Sequence, residues 1–442
     1  MVINKVKNIF HQLLFYFIFL FTAFFELSCS SHSSDKIQIN FWSMGAEAEH
    51  VQKLTKEFEK LNPNIEVKVQ AMPWTAAHEK LITAYASETT PDVVQMGNTW
   101  IPEFVALNSL DSLNNFVDNS KIIHSQNYFQ GIWKTNFIGK KLYGIPWYVD
   151  TRVLFYRSDI LKKVGYSEPP KNWNELYDVS KKIKNLYGTE QKYAFFIPTN
   201  EWAPFIIFGM QAGAELLKDD NSYGNFSDSK FETAFKFLMK FYKEKLAPID
   251  WMQVSNVFQA FASGFFAMYI TGPWNVAEFK NRLPKNLQND WMTAPLPAYN
   301  GQKYPGLSLA GGSSLSMFKS CKHKNAAWKL IEFLSEKESQ IKFYHLSTDL
   351  PAVIDAWQDS TLKNDKYLKA FYEQLQNVIP MPKVPEWEQI VSAKVQQYAE
   401  YGARGKVSPE AALKMLDQDV DKILEKRRWI LNKEKRANLS LQ

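Results

Sequence analysis

Cysteine is almost absent. The 442 residues contain two, Cys29 and Cys321, too few for a disulfide framework, and no Cys/His spacing has the form of a zinc ligand set. Stability must therefore come from a packed core, which a chain of this length can build in two domains. Charge of one sign is also scarce. Lys and Arg number 52 against 46 Asp and Glu, a net of +6, with no basic block of the kind that binds nucleic acid. The cluster Lys426-Arg427-Arg428 reads as a solvated helix end. Enzyme signatures are missing as well. There is no H-E-x-x-H, Gly311-Gly312-Ser313-Ser314-Leu315 lacks the last glycine of a nucleophile elbow, and Gly402-Ala403-Arg404-Gly405-Lys406 lacks P-loop spacing. Asp219 to Gly224 starts like a calcium loop, but Lys230 stands where the bidentate Glu belongs, so the segment reads as a turn. No internal repeat or low-complexity array interrupts the chain.

The first residues have the order of a secretory signal: Lys5 and Lys7, an apolar run from about Leu13 to Phe25, then Ser28, Cys29, Ser30 and Ser31. The run falls short of the roughly 20 residues a spanning helix needs, although a retained anchor is the alternative. Residues 1–28 are thus expected to be removed. Glu26-Leu27-Ser28-Cys29 resembles a lipobox, which makes Cys29 the candidate lipidation site. Glu26 departs from the aliphatic residue usual there, and simple cleavage to a soluble chain is the other reading.

Past the leader, Ile37, Ile39 and Phe41 alternate with polar residues as in a strand, and Val51, Leu54, Phe58 and Leu61 recur at helical spacing up to Asn62-Pro63. Ile65 to Val69 is a second strand, a helix is predicted from about His78 to Ser87, and Pro91-Asp92-Val93-Val94 is a third short strand. This β-α-β-α-β order favours a parallel sheet covered on both faces. Val153 to Tyr156 and Ala267 to Ile270 read as strands of a second α/β region, helices dominate after a Pro- and Gly-rich passage (294–312), and residues 431–442 read as a frayed tail.

What the chain has in excess is aromatic surface: 15% Phe, Trp and Tyr, with 14 Trp. Trp42, Trp74, Trp100, Trp147 and Trp274 follow predicted strands or turns, and Trp202 and Trp387 sit in Pro-flanked loops. Ligands of open α/β sheets bind beyond the C-terminal ends of strands. A pyranose offers C–H faces to an indole, and its hydroxyls require partners, because a buried polar group left unpaired costs about 1–3 kcal/mol. The polar residues at hand are Glu47, Asp92, Asn98, Asp150, Glu201 and Glu386. Each has a plainer reading: a single Trp as core, Asp92 as a turn cap, Glu47 as complement to a helix dipole, Glu386 as a solvated helix charge.

An ordered series of motifs then narrows the choice. It comprises Phe41-Trp42-Ser43-Met44-Gly45-Ala46-Glu47, Pro91-Asp92-Val93-Val94-Gln95-Met96-Gly97-Asn98-Thr99-Trp100, Gly144-Ile145-Pro146-Trp147-Tyr148-Val149-Asp150-Thr151 with Leu154-Phe155-Tyr156-Arg157, Gly272-Pro273-Trp274, the Gly311-Gly312 turn, and Leu350-Pro351-Ala352. Across nearly the whole mature chain the series resembles the family 1 extracellular solute-binding proteins of bacterial ABC sugar importers, of the maltose, trehalose and multiple-sugar type. The resemblance implies an α/β, two-lobed periplasmic-binding-protein fold (type II-like), each lobe a doubly wound sheet with flanking helices, joined by hinge strands. It assigns residues 36–149 plus 295–347 to one lobe and 150–294 plus 348–430 to the other. The combined reading puts Trp42, Glu47, Asp92, Asn98, Trp100, Trp147, Tyr148, Asp150, Trp202, Trp274, Gly311, Gly312, Glu386 and Trp387 at the ligand, with Trp274, Trp202 and Trp387 as stacking surfaces and Asp150 and Glu47 as hydroxyl acceptors. Gly97 and Ser313 depart from trehalose/maltose-type members, which carry an acidic residue and often Trp there, and this leaves the sugar open.

The partners implied are a sugar, membrane permease subunits with a separate ATPase, and a lipid anchor at Cys29. The implied protein is an exported monomer with neither cofactor nor metal, acting by domain closure. Two other readings stay open: the same fold holding a polyamine, peptide or osmolyte, since aromatic boxes also hold cations, and a secreted carbohydrate-active enzyme using Glu386 and Asp150.

Overall fold

The structure is a computed structural model and describes residues 36–188 and 191–439. The predicted leader 1–28 and Cys29 lie outside them. Strand β1 (Ile37–Met44) buries Ile39 and Phe41, then turns at Gly45 into helix α1 (Glu47–Leu61). That helix begins with Glu47 and Glu49 at its positive end and buries Ala48, Val51, Leu54 and Phe58 along one face. Strand β2 (Ile65–Met72), helix α2 (Trp74–Ala86) and strand β3 (Val93–Gly97) complete the predicted order. Helix α2 starts at Trp74 rather than near His78, because extended Pro73 acts as its N-cap and its carbonyl accepts from Ala76 N–H at 3.0 Å.

The chain then runs through β4 (Ile145–Asp150), β5 (Val153–Arg157), β6 (Tyr193–Phe196), helix α3 (Ala203–Gln211), β7 (Phe266–Thr271), helix α4 (Trp274–Arg282), β8 (Trp291–Ala294), β9 (Gly311–Met317), helix α5 (Lys337–Ser347) and β10 (Leu350–Pro351). These strands form two sheets. The first has six strands in the order β10-β4-β9-β3-β1-β2, and the second four in the order β8-β5-β7-β6. In the first sheet β1 pairs in parallel with β2 and β3, while β9 runs antiparallel to both β3 and β4. Gly311 and Gly312 therefore open a strand instead of making a turn, lying opposite Asp150 and Val149.

Each sheet heads one body of the two-lobed fold. The chain crosses between them at 150–153 and again at Ser308–Leu309, a short segment paired in parallel with Val378–Ile379. Two lobe boundaries expected from sequence shift. The second crossing lies at 308–309 rather than 295, because Leu296 packs in the second lobe's core. Residues 350–351 still belong to the first sheet as its outer strand β10, so the return to the second lobe comes after residue 351 rather than at 348.

Seven tryptophans among the described residues are core, four of them almost completely enclosed. Trp147, Trp173, Trp291 and Trp387 are each at most 1% exposed. Trp291 stacks on Tyr367 with ring centroids 3.9 Å apart and lies parallel to Phe155 at 5.9 Å. The predicted frayed tail is instead largely helical. Helix α6 (Glu425–Leu439) docks through its first turn, where Arg427 and Arg428 donate to the carbonyls of Asp220, Asn221 and Ser222. Those carbonyls are turned outward because Asp219, Asp220 and Asn221 all take left-handed backbone, with φ of 53°, 58° and 57°. The arginines read as solvated are thus ties to the 219–222 turn.

Deleting the Trp291 ring removes contacts to Tyr367, Phe155 and Phe279 from inside the second lobe. Trp291→Ala should cost about 3–5 kcal/mol of unfolding free energy, read as a lowered urea midpoint. A loss under about 1 kcal/mol contradicts this packing.

Candidate ligand-binding site

A cavity of about 580 Å³ opens between the two sheets. The C-terminal ends of β1, β3 and β4 converge on it and deliver Gly45 to Glu47 with His50, Gly97 to Trp100, and Tyr148 to Asp150. The second body supplies Trp202, the residue before α3, and Trp274, the first residue of α4, with Arg152 and Met381.

Four indoles face this space: Trp74, Trp100, Trp202 and Trp274. Trp74 and Trp100 meet edge to face, 5.6 Å between centroids, and His78 closes on Trp100 from behind at 5.2 Å. Trp274 remains 46% exposed. It lies so close over Gly272 that a Cβ there would stand 2.0 Å from the ring. Arg152 covers the ring at 4.5 Å from its centroid, while its Nη1 bonds Asp150 Oδ1 at 3.1 Å.

The polar wall is tied together before any ligand arrives. Tyr148 Oη donates to Glu47 Oε1 at 3.0 Å and accepts from Gln95 Nε2 at 2.9 Å, with Ser313 Oγ at 3.0 Å. Gln95 Oε1 in turn accepts from Ser43 Oγ at 2.5 Å and Met44 N–H at 2.8 Å. Trp74 Nε1 lies 3.3 Å from Glu47 Oε1. Burial holds the Tyr148 phenol well above its ordinary pKa, with the neighbouring carboxyl groups of Glu47 and Asp349 as lesser causes, so the group stays a neutral donor. Burial also raises the Asp150 pKa, against which Arg152 works. Asn98 Oδ1 accepts from Ser314 Oγ, but its buried Nδ2 has no partner.

Of the residues named from sequence, the cavity brings together Glu47, Asn98, Trp100, Tyr148, Asp150, Trp202, Trp274, Gly311 and Gly312. The other five stand elsewhere. Strand β1 continues to Met44, which leaves Trp42 inside the strand, packed on the cluster of Met44, Met72 and Leu81 rather than beyond its end. Asp92 precedes β3 instead of following it, and its Oδ2 accepts from Asn40 N–H at 2.9 Å at the opposite end of the sheet. Trp147 is the unpaired residue of a β-bulge in β4, and its ring stacks on Phe343 at 4.3 Å. Trp387 opens a short helix turned into the core of the second lobe, and Glu386 precedes it outside the cavity. The lining residues that sequence reading did not name are chiefly Arg152, Ser347, Asp349 and Met381. Trp74 was marked only by its place after a strand.

Comparison with known proteins agrees with this geometry. The family model described as bacterial extracellular solute-binding protein matches residues 44–341. The galactooligosaccharide-binding protein of Bacillus subtilis is 28% identical over 88% of this chain and 90% of its own length. The diacetylchitobiose binding protein DasA of Streptomyces coelicolor is 26% identical over 84% and 85%. Among solved structures, the sugar-binding protein MalE of Xanthomonas citri superposes with a TM-score of 0.86 at 47% identity, covering 89% of this chain and 99% of that one.

Tyr148→Phe keeps the ring but strands the buried Gln95 amide. It should lower stability by about 1–3 kcal/mol in urea denaturation, with an unchanged far-UV circular dichroism spectrum. Equal midpoints for the two proteins contradict the network.

Proposed function

This chain belongs to the bacterial extracellular solute-binding proteins, and we infer that it captures an oligosaccharide outside the cytoplasm for delivery to an ABC importer. The observation that carries this reading is the meeting of four indoles with Glu47, Tyr148, Asp150 and the unpaired Asn98 amide around one cavity between two lobes. Flat C–H faces of a sugar suit Trp202 and Trp274. Hydroxyls suit Glu47 and Asp150 as acceptors and Asn98 Nδ2 as a donor. Relatives named for galactooligosaccharide, diacetylchitobiose and sugar binding support the same class. The protein is a binding component and not an enzyme, so its carboxylates serve recognition.

Capture proceeds by closure. One lobe presents Glu47, Trp74, Trp100 and Tyr148, and the other presents Trp202, Trp274 and Met381. Only the closed form engages both sets, so ligand shifts the population toward it. Arg152 must slide off the Trp274 face for a sugar to stack there. Membership of this family implies membrane permease subunits and a separate ATPase as partners. We further propose that the exported protein is a monomer, tethered at the membrane surface through a lipid on Cys29.

Two measurements test this. A thermal-shift screen across maltodextrins, galactosides, chitooligosaccharides and cationic solutes should raise Tm with a neutral sugar. Stabilisation reaches about 2.7 kcal/mol when ligand stands at a hundred times Kd. A shift produced only by polyamines or peptides overturns the sugar assignment. Trp274→Ala should weaken binding of the identified sugar by about 2 kcal/mol, roughly thirtyfold, in calorimetry while leaving Tm of the free protein in place. Unchanged affinity removes Trp274 from the site.

A further inference from the structure

Asp349 stands apart from the other carboxylates of the cavity. Its position is fixed from both sides. Helix α5 ends at Ser347, Thr348 takes left-handed backbone at φ 67°, and Leu350, the residue after Asp349, pairs with Val149 in the first sheet. The Asp349 N–H donates to Ser347 Oγ at 3.1 Å. The turn thus holds the carboxyl at the cavity wall beside Glu47 and Asp150.

Partners divide the three acids. Asp150 has the Arg152 guanidinium, and Glu47 has the Tyr148 hydroxyl and the Trp74 indole. Among the described residues, no Lys, Arg or His forms an ion pair with Asp349. The titratable and charged groups sharing its cavity are Glu47 and His50 from α1, Tyr148 and Asp150 from β4, and Arg152 from the crossing. An ionised Asp349 would stand half-buried near the carboxyl groups of Glu47 and Asp150. Burial first, then Glu47 and Asp150, push its pKa up to about 8, with the Ser347 hydroxyl opposing.

Resting on the oligosaccharide reading, we propose that Asp349 is a specificity-determining residue that meets the ligand as a neutral carboxylic acid and donates a hydrogen bond to one of its acceptor oxygens. A ring or glycosidic oxygen of a sugar has lone pairs and no proton, so it needs a donor. A carboxylate can only accept. Asp349 O–H would complement such an oxygen beside the unpaired Asn98 Nδ2, whereas the Arg152 guanidinium is already engaged by Asp150. A cationic solute would reverse the preference, because an ammonium group favours the ionised acid.

The sign of the pH dependence follows. Below about pH 8 the acid is protonated and donates. Above it the donor is lost and a like charge is added beside Glu47 and Asp150. Affinity for a neutral sugar should hold from pH 6 to 7.5, then fall by up to about tenfold per pH unit. Affinity for a cation should rise over the same interval. The free protein carries the same linkage. The folded pKa lies above the unfolded value of about 4, so this group's contribution to stability is full below that value and is lost as pH rises through about 8.

The experiment uses the full exported chain and its Asp349→Asn and Asp349→Ala variants, titrated calorimetrically with maltose, maltotriose and lactose from pH 6 to 9.5. Difference infrared spectra at pH 7 accompany the titrations. We expect a carboxylic-acid C=O band in the wild type that Asp349→Asn lacks. Asp349→Asn, a neutral donor of similar shape, should keep affinity within about threefold at pH 7 and stay flat to pH 9.5, while Asp349→Ala should lose about tenfold at pH 7. Absence of the band, or a wild-type pH profile that Asp349→Asn reproduces, overturns the role of Asp349. Failure of all three proteins to bind every sugar overturns the oligosaccharide reading instead, and the infrared band then still decides the protonation of Asp349.

Discussion

Where the chain crosses between the two sheets, Thr151 and Ser308 hold the crossing segments to each other. Thr151 Oγ1 donates to Leu309 O at 2.8 Å and lies 3.0 Å from Ser308 Oγ, which bonds the Arg152 carbonyl at 3.0 Å. Both side chains are fully buried, so each lost bond would leave a polar group stranded. The lacing makes two crossing segments move as one. It also fixes the residues on either side: Asp150 before Thr151, Arg152 after it, and Leu309 to Gly312 after Ser308, all of which line the cavity. A hinge of few residues, firmly bonded within itself, lets two rigid bodies change angle without disturbing either core.

The cavity walls are prepared at some cost in chain freedom. Gly272 lets the Trp274 ring lie directly on backbone, and Gly311 lets Asp150 reach the cavity where a side chain would meet its carboxyl at 2.3 Å. The Tyr148, Gln95 and Glu47 network then fixes the polar wall across β1, β3, β4 and α1. Preorganisation of this kind reduces the ordering that a ligand must impose on binding.

Much of the fold was legible because its signals are local and repetitive. The alternation of Ile37, Ile39 and Phe41, the spacing of Val51, Leu54 and Phe58, and the break at Asn62-Pro63 each describe an element within a few residues. The site was legible only in part, since facing a cavity depends on where a strand stops. Two more residues of β1 put Trp42 inside the sheet, and the start of β3 at Val93 put Asp92 at the wrong end of it. Trp147 and Tyr148 are adjacent and equally aromatic, and a bulge sends one to the core and the other to the cavity. Asp349 had no signal at all, because its meaning lies in the absence of a cation that only three-dimensional neighbours reveal. Arg427 and Arg428 were misjudged for the converse reason: their partners are main-chain carbonyls some 200 residues away (separations of 206 and 207), and composition says nothing of those.

Asp150 belongs at once to the cavity wall and to the first crossing. Its carboxylate is shared with Arg152, the residue that carries the chain into the second sheet and lies on Trp274. A solute that draws on Asp150 competes with Arg152 for the same oxygens, and a freed guanidinium loses its hold on the far lobe's indole. Occupancy and lobe angle are then two readings of a single exchange of partners.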